Sequence, residues 1–191
     1  MSVPKPFQLM WALSGLLLTI ACTFIRPSLL FPSLTGDGNN VETELIRATL
    51  QIGAVLLTGC LGGRNAALLS QVAYIILGLS GFGVFYQGGG LEYLKSPAFG
   101  YLLGFVVGGW ICGYLAFLKP PSLERMAISC FSGMFAVHII GIIYLVIIQI
   151  PNFGAIQTSF WQYSVQVLSS QFLVVCATIV IATFSRKLLF Y

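Results

Sequence analysis

The sequence predicts an all-α integral membrane protein with six transmembrane helices and both termini on the cytoplasmic side. Three observations carry that prediction. The chain of 191 residues is 58% hydrophobic and only 7% charged, with a mean hydropathy of +0.94. Soluble domains carry about 25% charged residues, so there is too little polar surface here to coat a water-soluble globule. Six apolar runs can be drawn, each near the ~20 residues that span a bilayer. The few cations are also unevenly placed between alternate connectors. Lys5, Arg64, Lys119, Arg125, Arg186 and Lys187 fall on one side, against Arg26, Arg47 and Lys95 on the other. Positively charged loops stay in the cytoplasm.

The spans make one membrane domain, 1–191. The first covers about 7–25, read as a retained helix rather than a cleaved leader, and ends at Arg26-Pro27 because proline cannot continue a helix. The second covers about 45–61 and the third about 65–85, separated by Gly62-Gly63-Arg64. The fourth, about 99–118, stops at Lys119-Pro120-Pro121, and the fifth, about 126–150, precedes Pro151-Asn152. The sixth covers about 164–184, ahead of Ser185-Arg186-Lys187.

The outer connectors are the longer ones. Residues 29–43 hold a turn-rich run, Thr35-Gly36-Asp37-Gly38-Asn39-Asn40, and residues 150–163 are uncharged. Between the third and fourth spans lies Gln87-Gly88-Gly89-Gly90, followed by Tyr93 and Lys95. Three glycines free the backbone and leave its polar groups uncovered, which a membrane tolerates only where protein or a cavity shields them. This connector is a candidate lid over a ligand.

Chemistry-bearing residues are few. His138 is the only histidine, set in the fifth span with no intramembrane carboxylate to pair with, and is read first as a helix-bonding residue. No phosphate-binding loop is present, so the chain does not hydrolyse ATP. Nine basic residues form no patch for nucleic acid. Cys22, Cys60, Cys112, Cys130 and Cys176 are scattered through apolar runs without metal or redox spacing, so no metal or cofactor is expected.

Amides take the place of carboxylates. Arg47 and Gln51 share one helical face, Gln71 and Tyr74 lie close to one face of the third span, and Gln171 shares a face with Ser164 and Thr178. An amide offers both donors and an acceptor. Together with Tyr86, Tyr93 and Tyr101 these fit a small, partly polar organic ligand. Ala12, Gly15 and Thr19 make a small-residue stripe on the first span that permits close helix approach, either within the chain or to a partner membrane helix.

The run from Thr49 to Ala67, with its Gly62-Gly63-Arg64 turn, resembles the second span and following turn of the BioY biotin-transport family. The stretch Tyr74–Phe85, the three glycines, and Pro97-Ala98-Phe99-Gly100-Tyr101 through Phe105 resemble that family's third span, glycine loop and fourth span. The likeness is strong over about 47–114 and compatible elsewhere. It implies the substrate-binding S component of an energy-coupling-factor transporter. Such a component captures biotin from outside, and a transmembrane coupling protein with two ATPase subunits powers uptake. The expected location is the plasma membrane of a prokaryotic-type cell.

Two departures stand out. Pro97-Ala98-Phe99-Gly100-Tyr101 replaces the family's Pro-Thr-Gly-Gly-Tyr. Ser169-Ser170-Gln171-Phe172-Leu173-Val174 falls where the family shows Pro-Gly-Asp-Leu-Leu-Lys, so Gln171 stands for the acid and Val174 for the lysine. The resulting expected biotin site comprises Arg47, Gln51, Tyr74, Tyr86, Gln87, Gly88, Gly89, Gly90, Tyr93, Lys95, Tyr101 and Gln171, with Lys95 or Arg47 meeting the carboxylate. The competing readings are an S component for another vitamin, a membrane-integral lipid enzyme, and a helical assembly protein without a ligand.

Overall fold

A computed structural model of the protein describes residues 5–25, 50–86 and 88–189. Apart from one isolated bridge, its regular structure is helical. The elements are α1 (Lys5–Phe24), α2 (Gln51–Leu79), a 3-10 turn (Leu91–Lys95), α3 (Ala98–Ala116), α4 (Leu123–Gln149), α5 (Phe153–Phe160) and α6 (Gln166–Leu189). A π turn, Trp161–Val165, joins α5 to α6. Five helical stretches among the described residues are long and apolar enough to cross a membrane: Pro6–Phe24, Gln51–Leu79, Ala98–Ala116, Leu123–Gln149 and Phe153–Leu189.

The sequence reading draws two spans where the structure has α2, and α2 is bent back on itself. Gly63 sits at φ 80°, ψ 178° and interrupts the helix; a positive φ of this kind is open to glycine and costly for other residues. A side chain at Gly109 would start 3.2 Å from Val55 and 3.3 Å from Ala67. Those two residues would stand about 18 Å apart along a straight helix, so the chain has reversed between them. The first limb runs against α1: the Leu50 N–H donates to the Ile25 carbonyl at 3.4 Å, Gly15 lies on Thr58, and Gly62 lies on Trp11. The second limb runs along α1, with Gln71 donating to Thr19 at 3.0 Å and Tyr74 meeting Thr23 at 3.1 Å.

These contacts settle where the α1 stripe points. Ala12 and Thr19 are buried, and Gly15 faces Thr58 of the same chain. The stripe therefore meets α2 and is not open to a partner helix. The opposite face of α1, with Leu9, Met10, Leu13 and Leu17, is exposed, as suits a helix bordered by lipid.

Glycines set the spacing between α3 and its neighbours. A side chain at Gly104 would start 2.7 Å from the Val137 carbonyl, and one at Gly108 would start 2.6 Å from that of Gly133. Such close approach lets backbones pack in a bilayer, where lipid removes the hydrophobic drive between helices. Ser122 caps α4 by accepting from the Arg125 N–H at 3.2 Å. Asn152 caps α5 by accepting from Ala155 N–H at 3.2 Å, so the helix begins within the stretch the sequence reads as an outer connector. The connector at 29–43 lies outside the described residues.

One end of the bundle gathers the start of α1, the Gly63 turn, the end of α3 and the end of α6: Gly63 lies near Phe117, and Arg186 donates to the Ala116 carbonyl at 2.6 Å. The other end carries the glycine connector. Within the core, Cys60, Cys112 and Cys130, remote in sequence, lie side by side.

Gly108→Val is expected to wedge α3 from α4 and cost about 1–3 kcal/mol. Gly83, with open space around its α-carbon, should accept valine with a change within about 0.5 kcal/mol. Thermal unfolding of both variants in the same detergent checks the contrast.

A candidate ligand site beneath the glycine connector

Phe85 organises the connector. Its N–H donates to the Gly88 carbonyl at 3.0 Å and its carbonyl accepts from the Gly88 N–H at 3.0 Å, closing a tight turn. The Gly90 N–H donates to the carbonyl of Gly78, near the end of α2, at 2.7 Å. Gly88 and Gly90 have φ of 106° and 96°, and Gly89 packs on the carbonyls of Phe82 and Gly78, where no side chain fits. Two of the three glycine N–H groups are thus engaged within the protein. The turn drives the Phe85 ring inward. It is 1% exposed, covers Gly78, and stands edge-on to Tyr74 at 5.3 Å and tilted against Tyr93 at 4.7 Å.

Below Phe85 lies the Gln51 side of the site. Tyr74 donates to the Val84 carbonyl at 2.9 Å and so ties α2 to the connector. Gln51 is buried and interacts with the Tyr74 side chain, yet its Nε2 makes no hydrogen bond at contact distance among the described residues. A buried donor left unmet costs about 1–3 kcal/mol, so this atom is set for a partner beyond the described residues or for a closer approach to Tyr74. Two positions along, Gly53 packs against Val174 and Thr178 of α6.

The second side is a chain of hydrogen bonds across α3, α4, the π turn and α6. The Tyr101 hydroxyl meets Ser164 Oγ at 2.6 Å, Ser164 Oγ meets His138 Nδ1 at 3.4 Å, and His138 Nε2 meets Gln171 Oε1 at 2.7 Å. A neutral imidazole donates at one nitrogen and accepts at the other. With the amide oxygen facing Nε2, that nitrogen carries the proton and Nδ1 accepts from Ser164. Ser164 then accepts from Tyr101. The whole chain points toward Gln171 and leaves its amide N–H groups outside the chain. Tyr101 also stands edge-on to His138 at 5.9 Å and tilted to Tyr163 at 6.0 Å.

Tyr93 joins the two sides, packed on Phe85 and electrostatically coupled to both Tyr74 and Tyr163. Burial pushes its phenol up to about 12, and those two neighbouring phenols add to the shift. Tyr86 and Lys95 are exposed on the connector. Arg47 and Gln87 lie outside the described residues. The structure thus gathers Gln51, Tyr74, Tyr93, Tyr101 and Gln171 near the connector. It adds His138, Tyr163 and Ser164; the sequence marks the lone intramembrane histidine and sets Ser164 on the Gln171 face, while Tyr163 gives no signal of its own.

Long apolar helices around a polar, aromatic interior define a multi-pass helical membrane protein with an internal candidate site. Its fold matches a crystal structure of the S-component for biotin from an ECF-type ABC transporter, with a TM-score of 0.70 over 96% of this chain and 92% of that one, at 19% identity. The chain belongs to the BioY family, whose model matches residues 7–189. It is 38% identical over 120 residues to a probable biotin transporter BioY of Lysinibacillus sphaericus, covering 61% of each chain. It is 35% identical over 98 residues to the biotin transporter BioY of Thermotoga maritima, covering 51% of this chain and 57% of that one. An uncharacterized 21.2 kDa protein in the psbX-ycf33 intergenic region of Cyanophora paradoxa matches over 99% of this chain and 100% of its own length at 27% identity. The matches to the two biotin transporters thus span about three fifths of those relatives' length.

The Tyr93 phenol predicts a pH effect. Its raised value means the folded state favours the neutral phenol. That stabilisation is whole below pH ~10 and is lost as the pH rises through about 12. Tyr93→Phe should lack this part of the alkaline decline. Melting temperatures of the two proteins from pH 8 to 12 in one detergent read it directly.

Proposed function

We propose that this protein captures biotin from the outer side of the membrane and mediates its uptake, with energy from a separate transmembrane coupling protein and two ATPase subunits. The observation that carries the reading is a pair of interior amides, the buried Gln51, whose Nε2 has no hydrogen-bond partner among the described residues, and the oriented Gln171, inside a chain of the BioY family. The names of its relatives, biotin transporters in Lysinibacillus sphaericus and Thermotoga maritima, support the substrate.

Biotin has a ureido head with one carbonyl acceptor and two N–H donors, an apolar thioether ring and an acidic tail. In this reading Gln51 and Gln171 donate to ureido or neighbouring oxygen acceptors, while Tyr74, Tyr93 and Tyr101 wall the ring with their faces. Val174 is apolar and packs on Gly53, so it cannot meet the carboxylate. Lys95, exposed on the connector, and Arg47 are the outer-side cations assigned to that task. Tyr86, Gln87 and Gly88 to Gly90 form the lid.

The proposed topology has six crossings, counting the two limbs of α2 separately, with both termini in the cytoplasm. The gathering of Arg64, Lys119, Arg186 and Lys187 toward one end supports that orientation. The membrane is the plasma membrane of a prokaryotic-type cell. The protein acts as a carrier component, and biotin is cargo rather than cofactor.

Biotin should be retained by the detergent-solubilised protein. Gln51→Ala and Gln171→Ala should each weaken binding roughly 5–30-fold, the effect of losing one buried hydrogen bond worth about 1–2 kcal/mol. Lys95→Ala should weaken binding more at low salt than at high salt, because salt screens the exposed Lys95 charge. Isothermal titration measures all three. Unchanged affinity in every variant would sink this site, and retention of a different vitamin would sink the substrate.

A further inference from the structure

Three helices each deliver one thiol to a single point. Cys60 comes from the first limb of α2, Cys112 from α3 and Cys130 from α4, and each is fully buried. The Cys60 sulfur is 3.5 Å from that of Cys112 and 3.6 Å from that of Cys130, and all three sulfurs lie within 4.8 Å of one another. A zinc-type ion bonds thiolate at ~2.3 Å, which places three trigonal sulfurs about 4.0 Å apart. The triangle here brackets that spacing, so an ion fits with small side-chain adjustment. The Leu56 carbonyl, 3.5 Å from the Cys112 sulfur, is a neutral oxygen at the edge of the cluster.

Charge bookkeeping narrows the ion. Three thiolates around a divalent cation carry a net charge of −1, which is costly to bury alone. Arg186 supplies the opposite charge. It is 6% exposed, held by the Ala116 carbonyl and by the Phe117 ring at 4.0 Å, and it interacts electrostatically with Cys60. The assembly of three thiolates, one divalent cation and one guanidinium is neutral. A monovalent ion in the same place would leave −1.

We propose that Cys60, Cys112 and Cys130 form a three-thiolate site for a divalent thiophilic cation of the zinc–cadmium type. Loading forms three metal–sulfur bonds and releases three thiol protons to water. Cys60 lies three residues before the Gly63 break and Cys112 four residues before the end of α3, about 5–6 Å from the bundle end at the helical rise. Once bound, the ion ties α2, α3 and α4 together near where Gly113 packs on the Gly63–Arg64 backbone.

The full-length protein, reduced and stripped with a chelator in detergent, is titrated with Cd2+. Binding is read by cadmium–thiolate charge-transfer absorbance and by metal content per chain. One tight equivalent is expected in the wild type and in the Cys22→Ser/Cys176→Ser double variant. Cys60→Ser, Cys112→Ser and Cys130→Ser should each weaken binding by more than the roughly 10–100-fold typical of losing a supporting group. Arg186→Gln should weaken it within that range. A second measurement uses the folded wild type alone: in weakly buffered detergent solution near neutral pH, a pH-indicator dye should read three protons released per Cd2+ bound. The proposal is overturned by a wild type that binds no cadmium, by equal binding in the Cys60→Ser variant, or by cadmium binding without proton release. Biotin retention is scored separately, so failure here leaves the transport reading intact.

Discussion

In a bilayer every backbone amide and carbonyl must find a partner inside the protein, and a helix that turns back on itself can expose several. At Gly63 the chain meets that demand by packing. Gly113 presses on the Gly63–Arg64 backbone, Gly62 on Trp11, and Phe117 closes over Gly63 itself. Because the two limbs of α2 then lie side by side, α1 can touch both and α3 can seat Gly109 between Val55 and Ala67. Replace the bend with a straight helix and Gln51 no longer shares a neighbourhood with Tyr74. The Gln51 half of the candidate site exists only because the chain reverses here.

The other half depends on direction rather than proximity. A row of neutral hydroxyl, imidazole and amide groups carries no net charge, so burying it is far cheaper than burying an ion pair. The row still has polarity, since each group donates to the next from Tyr101 to Gln171. Gln171 is therefore oriented by three residues on three other segments. An aspartate in its place would present only acceptors to a ligand, whereas the amide presents donors. Val174 fits the same shift toward neutral chemistry: its apolar side chain packs closely on Gly53 of α2.

Much of this was legible beforehand. Gly62-Gly63-Arg64 reads as a break because of glycine chemistry, and the Gln87-to-Gly90 run reads as a connector for the same reason. The direction of the α1 stripe was not legible, because small-residue spacing signals close approach without naming the partner. The start of α5 at Asn152 was not legible, because the uncharged stretch behind it looks alike as loop or helix. Ser164 shares the Gln171 face in sequence, yet its position between Tyr101 and His138 follows from the π turn at Trp161–Val165, and a π turn leaves no spacing rule to read. The thiol trio escapes for a parallel reason. Its ligands lie 52 and 18 positions apart on three helices, whereas metal motifs are recognised by short spacings within one.

The two ends of the bundle differ in what it takes to part them. At the Gly63 end, backbones pack on backbones, and Arg186 joins α6 to α3 through a carbonyl and a ring. At the connector end, the ties between the connector and the helices are the Gly90–Gly78 and Tyr74–Val84 bonds, the Tyr144 bond to the Leu94 carbonyl, and the inserted Phe85 ring. Withdrawing an aromatic ring costs about 1.5–3 kcal/mol and each net hydrogen bond about 0.5–1.5 kcal/mol. Opening the connector therefore lies on the scale of the ~5.5 kcal/mol that inverts a 1:99 equilibrium. On the proposed function, that places the gate at the connector. A coupling partner that grips the opposite, tightly packed end then works on a rigid body, and its differential affinity for two states acts on the one part of the molecule that gives way at that cost.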